Sequence, residues 1–138
     1  MSIIADSIDS ASAATAIAAA QVKAMEIGVA ANIAVIDAGT HLKGFMRMDG
    51  AVLGAIDVAI GKARTSALFG ISSADVWAYC QPGAPAPNLQ ASNGGLMPFP
   101  GGLPLIAHST LIGAVGVSGG APSQDLEIAE AAVAALAG

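Results

Sequence analysis

The stretch Gly101–Gly120, GGLPLIAHSTLIGAVGVSGG, decides the fold of this chain. It contains two apolar runs, Leu103–Ala107 and Leu111–Val117, which are separated by a short polar break and bracketed by Gly-Gly pairs. Apolar runs of this length, rich in Leu, Ile and Val, are typical of paired strands with little exposure on either face. The stretch therefore predicts a hairpin, and its closing Ser118-Gly119-Gly120 is predicted to lead into a helix that begins near Pro122.

A second hairpin is predicted upstream, where Ala31–Asp37 and His41–Met48 have the pattern of strands joined by turn residues. Gly44 inside the second strand indicates a bulge or a close backbone approach. Capping residues and apolar positions at helical spacing predict four helices: Asp9–Ile27, Ala51–Phe69, a short helix from Ser72 or Ser73, and Pro122–Ala137. Because strand pairs alternate with helices, the sequence predicts a single α+β domain over residues 1–138, with helices packed on a central antiparallel sheet built from two hairpins.

Between the third helix and the last hairpin, Gln81–Gly102 shows no periodicity and contains five of the seven prolines. Structureless connections beyond about 12–15 residues in a compact domain are usually functional loops or disordered segments. Four apolar residues favour a loop that packs on the fold: Leu89, Leu96, Met97 and Phe99.

The chain carries few charges for its length. Only 11% of its 138 residues are charged and 54% are hydrophobic, whereas a typical soluble domain has about 25% charged residues. A monomer of this size would lack the polar groups needed to cover its surface. The composition therefore predicts a homo-oligomer that buries part of its surface against identical subunits. The alternative to an oligomer is a monomer with a core built from small residues, because alanine is also tolerated on an exposed surface.

Charge, hydropathy and cysteine content exclude several function classes. The formal net charge is −5, and no cluster of Lys and Arg could neutralise a nucleic-acid backbone. No apolar stretch is long enough to span a bilayer, and Met1–Ser7 lack the basic residues of an export leader. The lone Cys80 cannot form an intrachain disulfide and fits a reducing compartment. We therefore expect a cytoplasmic protein that binds neither nucleic acid nor membrane.

Four blocks occur in order along nearly the whole chain: Arg47–Ala51 (RMDGA), Ala59–Ala63 (AIGKA), Pro100–Leu105 (PGGLPL), and Ile112–Gly119 (IGAVGVSG) with Gln124-Asp125 after it. On these blocks the sequence resembles the GlcG/HbpS family, small domains also found as the C-terminal part of PduO-type proteins. The resemblance implies a profilin-like or roadblock-like α+β fold, assembled as a homo-oligomer. It also implies one of two kinds of function, because some members bind haem whereas others are encoded among genes for small hydroxy-acid or aromatic catabolism.

Haem needs an axial donor beside an apolar slot, and the sequence offers seven candidate donors: His41, His108, Met46, Met48, Met97, Tyr79 and Cys80. His41 and His108 both fall in predicted hairpin turns, so we expect them to be accessible and name them as ligand-binding candidates. The alternative for both is a tolerated surface residue. Methionines are more often core residues, and Cys80 has no neighbouring base in the sequence to activate it. Haem or a related tetrapyrrole is the only cofactor that the sequence suggests.

Arg47, Asp49 and Lys62 are the candidate catalytic residues, because they combine charge with a place in the family blocks. Arg47 can bind a carboxylate bidentately, and Lys62 or Asp49 can transfer a proton. The alternative is a structural ion pair of Arg47 or Lys62 with Asp49, with Asp57 or with an acidic residue of a neighbouring subunit.

The turn Ser118-Gly119-Gly120 is similar to an anion-binding cradle, in which free backbone N–H groups and the helix dipole meet a ligand. Asp125 and Glu127 already bring negative charge there, so a plain tight turn is the alternative. We expect the backbones of Gly101 and Gly102 to shape the same pocket. No metal-ligand spacing is present, so no metal is predicted.

Two functions therefore remain open from the sequence. One is a cytoplasmic homo-oligomer of the GlcG/HbpS type that binds haem or a related tetrapyrrole in an apolar site between subunits. The other is a small enzyme without a redox cofactor that acts on an acidic or aromatic metabolite by lyase, isomerase or hydrolytic chemistry. In the enzyme, Arg47 would orient the anion and Lys62 or Asp49 would move the proton.

Overall fold

The computed structural model describes residues 6–137, which form a four-stranded antiparallel sheet with helices on both of its faces. In chain order, the elements are α1 (Ser10–Glu26), β1 (Asn32–Asp37), β2 (Leu42–Arg47), α2 (Ala55–Phe69), α3 (Ser73–Cys80), β3 (Gly102–Ala107), β4 (Thr110–Ser118) and α4 (Pro122–Leu136). The predicted α+β fold, with a sheet built from two hairpins, is confirmed. Residues 1–5, part of the segment in which no leader was predicted, lie outside the described residues. Within residues 6–137, no helix is both long and apolar enough to cross a membrane.

The strand order is β2-β1-β4-β3, so the two hairpins join through a β1–β4 pair at the centre of the sheet. At one end of β1, Asn32 lies opposite both Arg47 and Ser118; at the other end, Asp37 lies opposite Gly113. Because all neighbouring strands are antiparallel, both hairpin turns lie at the Asp37 end of the sheet. The residues that enter and leave the hairpins lie at the Asn32 end.

Short-range side-chain caps explain where α1 and α3 begin. The Asp9 carboxylate accepts a hydrogen bond from the Ser12 N–H at 2.7 Å, and this backbone hydrogen bond lowers the pKa of Asp9 below its ordinary value of 3.8. Ser72 caps α3 in the same way through the Asp75 N–H at 3.1 Å. Both caps support helix starts that were predicted from the sequence.

The start of α2 differs from the prediction. The helix begins at Ala55 rather than at Ala51, because the intervening residues form turns. The Val52 carbonyl accepts hydrogen bonds from the Ala55 N–H and from Nδ2 of Asn32, each at 3.1 Å. The Asn32 side chain therefore ties this segment to the sheet, and the regular helix starts only after it.

The larger core lies between the sheet and the helices α1 and α4. Four sheet residues meet three residues of each helix: Ile33, Val35, Val115 and Val117 against Ala16, Ala20 and Ala24 of α1 and Ile128, Ala129 and Ala132 of α4. Alanine supplies most of the helix side of this core. The small-residue core that the composition allowed is therefore present.

On the other face, α2 lies almost directly against the backbone of the sheet. A Cβ atom on Gly116 would lie 2.6 Å from the Ala63 nitrogen and would overlap the Ala59 carbonyl oxygen. A Cβ atom on Gly102 would overlap the Lys62 carbonyl oxygen. These two glycines of the C-terminal hairpin therefore admit the helix backbone where any side chain would exclude it.

The second strand contains the irregularity predicted at Gly44. The register between β1 and β2 shifts beside Gly44, which leaves Lys43 as the extra residue of a bulge. Gly44 also lies under α1, where a Cβ atom would come within 2.8 Å of the Ile17 side chain. Both the bulge and the close approach are thus present at this residue.

The long loop between α3 and β3 packs on the helices, as its apolar residues predicted. The Met97 N–H donates to Thr65 Oγ1 at 2.8 Å, and Ser73 Oγ donates to the Phe99 carbonyl. Met97 lies on α2 at Gly61, where a Cβ atom would be 2.5 Å from Met97 Cγ. The loop is therefore held by both α2 and α3.

Candidate functional site

The fold separates the predicted site residues into two groups at opposite ends of the sheet. His41 and His108 lie at the end where the hairpins turn. The other end carries the remaining residues: Arg47, Asp49, Lys62, Gly101, Gly102 and Ser118–Gly120. Within one chain, the candidate histidine ligands and the candidate catalytic residues therefore do not form a single site.

Both histidines are accessible to solvent, as expected. The His41 side chain is 83% exposed, and its Nδ1 lies 3.5 Å from an Asp37 carboxylate oxygen. His108 is exposed, and it forms with Ser109 a two-residue turn in which both residues have positive φ, 51° and 63°. This geometry is typical of a type I′ turn, which favours Asn-Gly. His108 thus occupies a backbone conformation that is better suited to Asn or Gly.

The other candidate haem donors differ in their access to solvent. Met46 and Met48 pack against the core, and Cys80 is buried. Met97 is partly buried against α2, whereas Tyr79 is 52% exposed on α3. Across residues 6–137, no group of three His, Cys, Asp or Glu side chains could hold a metal ion. Of these five donors, Tyr79 presents its side chain most fully to solvent.

Three open grooves lie beside candidate haem donors, and two of them have largely apolar walls. The first, of about 320 Å³, lies between α1 and β2 with Lys43 among its lining residues. The second, also of about 320 Å³, contains His108 and Ile112 but is lined mainly by polar residues, among them Asp6 and Asp9. The third, of about 280 Å³, lies between the end of α2, α3 and the long loop, with Phe69 and Tyr79 in its wall. A flat apolar ligand in any of these grooves would keep one face in water unless another molecule covered it.

Lys62 is buried and paired within the chain. Its Nζ donates to Asp125 Oδ2 at 3.0 Å and to the Val117 carbonyl at 2.8 Å, and both charged side chains are only 4% exposed. Its ion-pair partner is therefore Asp125, and neither Asp49 nor Asp57, the exposed acids considered from the sequence. A proton-transfer role for Lys62 stays a prediction, and both hydrogen bonds would have to break before Nζ could reach a ligand.

The turn Ser118–Gly120 is occupied by side chains from the start of α4. Asp125 Oδ1 accepts a hydrogen bond from the Gly120 N–H, and Gln124 Oε1 accepts one from the Ala121 N–H, each at 2.9 Å. The chain itself thus uses backbone donors that an anion would need, which is the arrangement of a tight turn. Ligand binding by this turn stays a prediction.

Gly101 and Gly102 also pack against the chain itself. Gly101 has a φ of 124°, and a Cβ atom on it would lie 3.0 Å from Lys62 Nζ. The Gly102 N–H donates to Ser73 Oγ at 2.9 Å. Gly101 thus packs against the buried ion pair and Gly102 against the Lys62 backbone and Ser73. Their part in a ligand pocket stays a prediction.

Arg47 and Asp49 lie exposed at the end of β2 and just beyond it. Among the described residues, neither side chain forms an ion pair. Arg47 is therefore free to bind a carboxylate, as its predicted role requires. That role, like proton transfer by Asp49, stays a prediction.

Asn32 and Asp125 are polar residues of this end that sequence reasoning did not single out as site residues. Asn32 is fully buried; Nδ2 donates to the Val52 carbonyl, and Oδ1 has no hydrogen-bond partner within residues 6–137. The sequence signal that could have identified Asn32 is its position as a polar residue in the otherwise apolar start of β1. Asp125 was visible as part of the last family block, but nothing local in the sequence connected it with Lys62.

Comparison with known proteins relates most of the chain to one family. The family model described as "Haem degrading protein HbpS-like" matches residues 8–134. An uncharacterized 15.0 kDa protein of the dhaT-dhaS intergenic region of Citrobacter freundii is 38% identical over 116 residues, covering 83% of this chain and 82% of that protein. The corrinoid adenosyltransferase PduO of the same organism is 34% identical over 119 residues, covering 86% of this chain. This chain spans only 36% of PduO.

Solved structures have the same fold. The crystal structure of Klebsiella pneumoniae protein ORFY is 35% identical and has a TM-score of 0.93, covering 97% of this chain and 93% of that one. The crystal structure of the PduOC:heme complex is 29% identical and has a TM-score of 0.90, covering 94% of this chain and 95% of that one.

Proposed function

The chain belongs to the HbpS-like family, and on that premise we propose that it is a homo-oligomeric protein that binds haem or a related tetrapyrrole in an apolar site between subunits. The observation that carries the proposal is the similarity to the PduOC:heme complex, which extends over 94% of the chain with a TM-score of 0.90. The lone thiol of Cys80, which forms no disulfide, supports the cytoplasmic location that we also propose.

The axial ligand that we propose is a histidine at the hairpin end of the sheet. His41 and His108 both expose their imidazoles there, and imidazole is a common haem ligand. His108 is the stronger candidate, since it occupies a turn position that favours Asn or Gly. Non-glycine residues in such backbone conformations cluster at functional sites. The groove that contains His108 offers the apolar side chains of Ile8, Ala107 and Ile112, and its other lining residues are polar: Asp6, Ser7, Asp9 and Ser12.

The open shape of the grooves supports a site between subunits. Small-molecule sites usually bury most of the ligand surface, whereas each groove beside a candidate donor is open to solvent. A second copy of the chain would cover such a groove mostly with uncharged surface, because only 11% of its residues are charged. The tetrapyrrole would then be covered on both faces.

Titration of the purified apo-protein with hemin tests the proposal. We expect a shifted Soret band with saturable binding, together with quenching of Trp77, the only tryptophan of the chain. The variant His108→Asn should lose the Soret shift while its stability stays equal or rises, because Asn tolerates positive φ better. His41→Asn tests the second histidine in the same way.

The exposed residue Asp75 offers a matched control, since Asp75→Asn changes a surface side chain of α3 away from both hairpin turns. Its Soret shift should equal that of the unaltered protein. Absence of any Soret shift in the unaltered protein would contradict haem binding. An unchanged shift in the double variant of both histidines would contradict the proposed ligands.

A further inference from the structure

A fourth cavity, of about 260 Å³, lies between the outer face of α2 and the long loop, away from the grooves considered for haem. Its two ends carry opposite charges, Asp57 and Arg64, and its wall between them is apolar, formed by Ile60 and Met97. Backbone from Gly94 and Gly95 covers it from the loop side. The cavity therefore has an anion-binding end, an apolar middle and a cation-binding end.

The cavity is built by contacts that hold the loop in place. Thr65 Oγ1 accepts a hydrogen bond from the Met97 N–H and donates one to the Gly61 carbonyl at 2.7 Å, which joins the loop to α2. Met97 occupies the space that a side chain at Gly61 would need. On the loop, the Gly95 N–H donates to the Ser92 carbonyl at 2.9 Å. The cavity is thus pre-formed in the unliganded chain.

Arg64 enters this cavity with most of its hydrogen-bonding capacity unused. Its one hydrogen bond within residues 6–137 joins Nη2 to the Asn93 carbonyl at a long 3.4 Å, and no carboxylate of these residues lies within ion-pair distance. A guanidinium has five N–H donors in a planar fork that matches a carboxylate. Asp57, at the other end of the cavity, also has no ion-pair partner within the described residues.

The spacing of the two charges limits the ligand. Asp57 and Arg64 are seven residues apart on one helix, which places their Cα atoms roughly 10 Å apart along its axis at about 1.5 Å per residue. Helical side chains tilt toward the helix N-terminus, so the longer Arg64 side chain brings its charge closer to Asp57 than the Cα spacing. The ligand between two charge-assisted contacts of about 3 Å each is therefore short, with at most about three methylene groups between its carboxylate and its ammonium.

We propose that this cavity binds a short linear ω-amino carboxylate, with the carboxylate on Arg64, the ammonium on Asp57 and the methylene chain against Ile60 and Met97. The site is independent of the haem site, because it uses neither histidine and lies on the α2 face of the sheet. The charged ends of the cavity select for the carboxylate and the ammonium of the ligand, and its apolar wall selects for the methylene groups between them.

Amide shifts of the ¹⁵N-labelled protein during titration with 4-aminobutanoate test the site. We expect saturable shifts at Gly61, Gly94 and Gly95. Butanoate, which lacks the ammonium, and glycine, which has one methylene between its charges, should each bind about fivefold more weakly, a factor that corresponds to roughly 1 kcal/mol. The absence of saturable shifts at these glycines would overturn the proposal, and equal binding of glycine would overturn the assigned contact of the methylene chain with Ile60 and Met97.

Two variants test the contributions of the two ends of the cavity separately. Arg64→Gln should weaken both 4-aminobutanoate and butanoate, whereas Asp57→Asn should remove only the preference for 4-aminobutanoate over butanoate. Lys23→Gln and Glu127→Gln change single charges outside the cavity and should leave binding unchanged, which controls for a general effect of charge. Unchanged 4-aminobutanoate affinity in Arg64→Gln would overturn the proposal.

Discussion

Lys62 and Asp125 depend on each other for their charges to be tolerated inside the fold. Their carboxylate–ammonium contact of 3.0 Å is supported by hydrogen bonds to the Val117 carbonyl and from the Gly120 N–H. Burying two paired charges contributes little net stability, but removing one partner leaves the other buried and unpaired. The pair therefore makes the junction of α2, β4 and α4 sensitive to single substitutions.

We expect Lys62→Met to lower the free energy of unfolding by about 3–5 kcal/mol, because it leaves the Asp125 carboxylate buried without its ammonium partner. Urea denaturation followed by the fluorescence of Trp77 measures this loss. Asp125→Asn removes the charge and can keep an oxygen for the Gly120 N–H. The double variant Lys62→Met/Asp125→Asn should therefore recover part of the loss. If Lys62→Met were as stable as the unaltered protein, the ion pair would not be needed for stability, which would contradict this prediction.

The same pair bears on the catalytic alternative. If Lys62→Met abolished a turnover, the loss of stability alone would explain it. Activity of the double variant, whose charges are both removed, separates the two cases, because a proton-transfer role requires the Lys62 amine in either background. Catalysis by Lys62 is therefore testable only together with Asp125.

The pairing of Lys62 with Asp125 could not be predicted from the sequence, because 63 residues separate the two. Local patterns indicated an acid in the first turn of α4, and Asp125 is there. The apolar stripe that they indicated on the second helix is buried only in part, because Ala63 and Ala67 are buried whereas Leu53 is exposed. Which cation meets which acid depends on how α2 and α4 pack around β4. Solvent access of His41 and His108 was predictable, by contrast, because it follows from their places in short hairpin turns.

The contact of α2 with the sheet depends on glycine at Gly116. A methyl group there would overlap the Ala59 carbonyl oxygen and lie 2.6 Å from the Ala63 nitrogen, both of which are helix backbone. Backbone cannot move aside as a flexible side chain can, so the whole helix would have to shift. Overpacking of this kind typically costs about 1–3 kcal/mol and occasionally more.

We expect Gly116→Ala to lower the free energy of unfolding by at least about 2 kcal/mol, toward the upper part of the range for overpacked cores. Gly54→Ala is the matched control, because Gly54 has a φ of −61° and no atom within 4 Å of an added Cβ. That change should leave the stability equal or raise it by about 0.4–1 kcal/mol. Equal effects of the two substitutions in urea denaturation would contradict the close packing of α2.

The elements themselves were largely predictable, whereas their arrangement was not. Caps such as Asp9 and Ser72 act over three or four residues, so they can be predicted from the local sequence. The start of α2 was predicted four residues too early because the Asn32 side chain, distant in sequence, holds Val52 in a turn. The central β1–β4 pair likewise joins strands from opposite ends of the chain, and no local pattern specifies it.

Both edge strands of the sheet are poorly suited to extension by another strand. Edge strand β3 contains Pro104, which lacks an N–H donor, and edge strand β2 contains the bulge at Lys43. Proline, lysine and bulges are the usual means by which proteins protect exposed sheet edges. Association of two copies is therefore expected through apolar side chains on helices and faces rather than through edge pairing.

The surface of the whole molecule is apolar enough to supply such contacts. Large hydrophobic side chains are exposed on several elements, among them Trp77 at 42%, Tyr79 at 52% and Leu53 at 68%. Only 11% of the residues carry charge. Apolar contacts do not weaken when salt screens charges, whereas ion pairs do.

We expect sedimentation velocity to give a particle whose mass is a multiple of the 13.4 kDa chain. Raising the salt from about 0.1 M to about 1 M shortens the Debye length from about 10 Å to about 3 Å, and the particle should persist through this change because its contacts are apolar. Dilution should instead dissociate it, with a red shift of Trp77 emission if that side chain lies in a contact. A monomer at all concentrations would contradict the assembly, and with it the covering of haem by a second subunit.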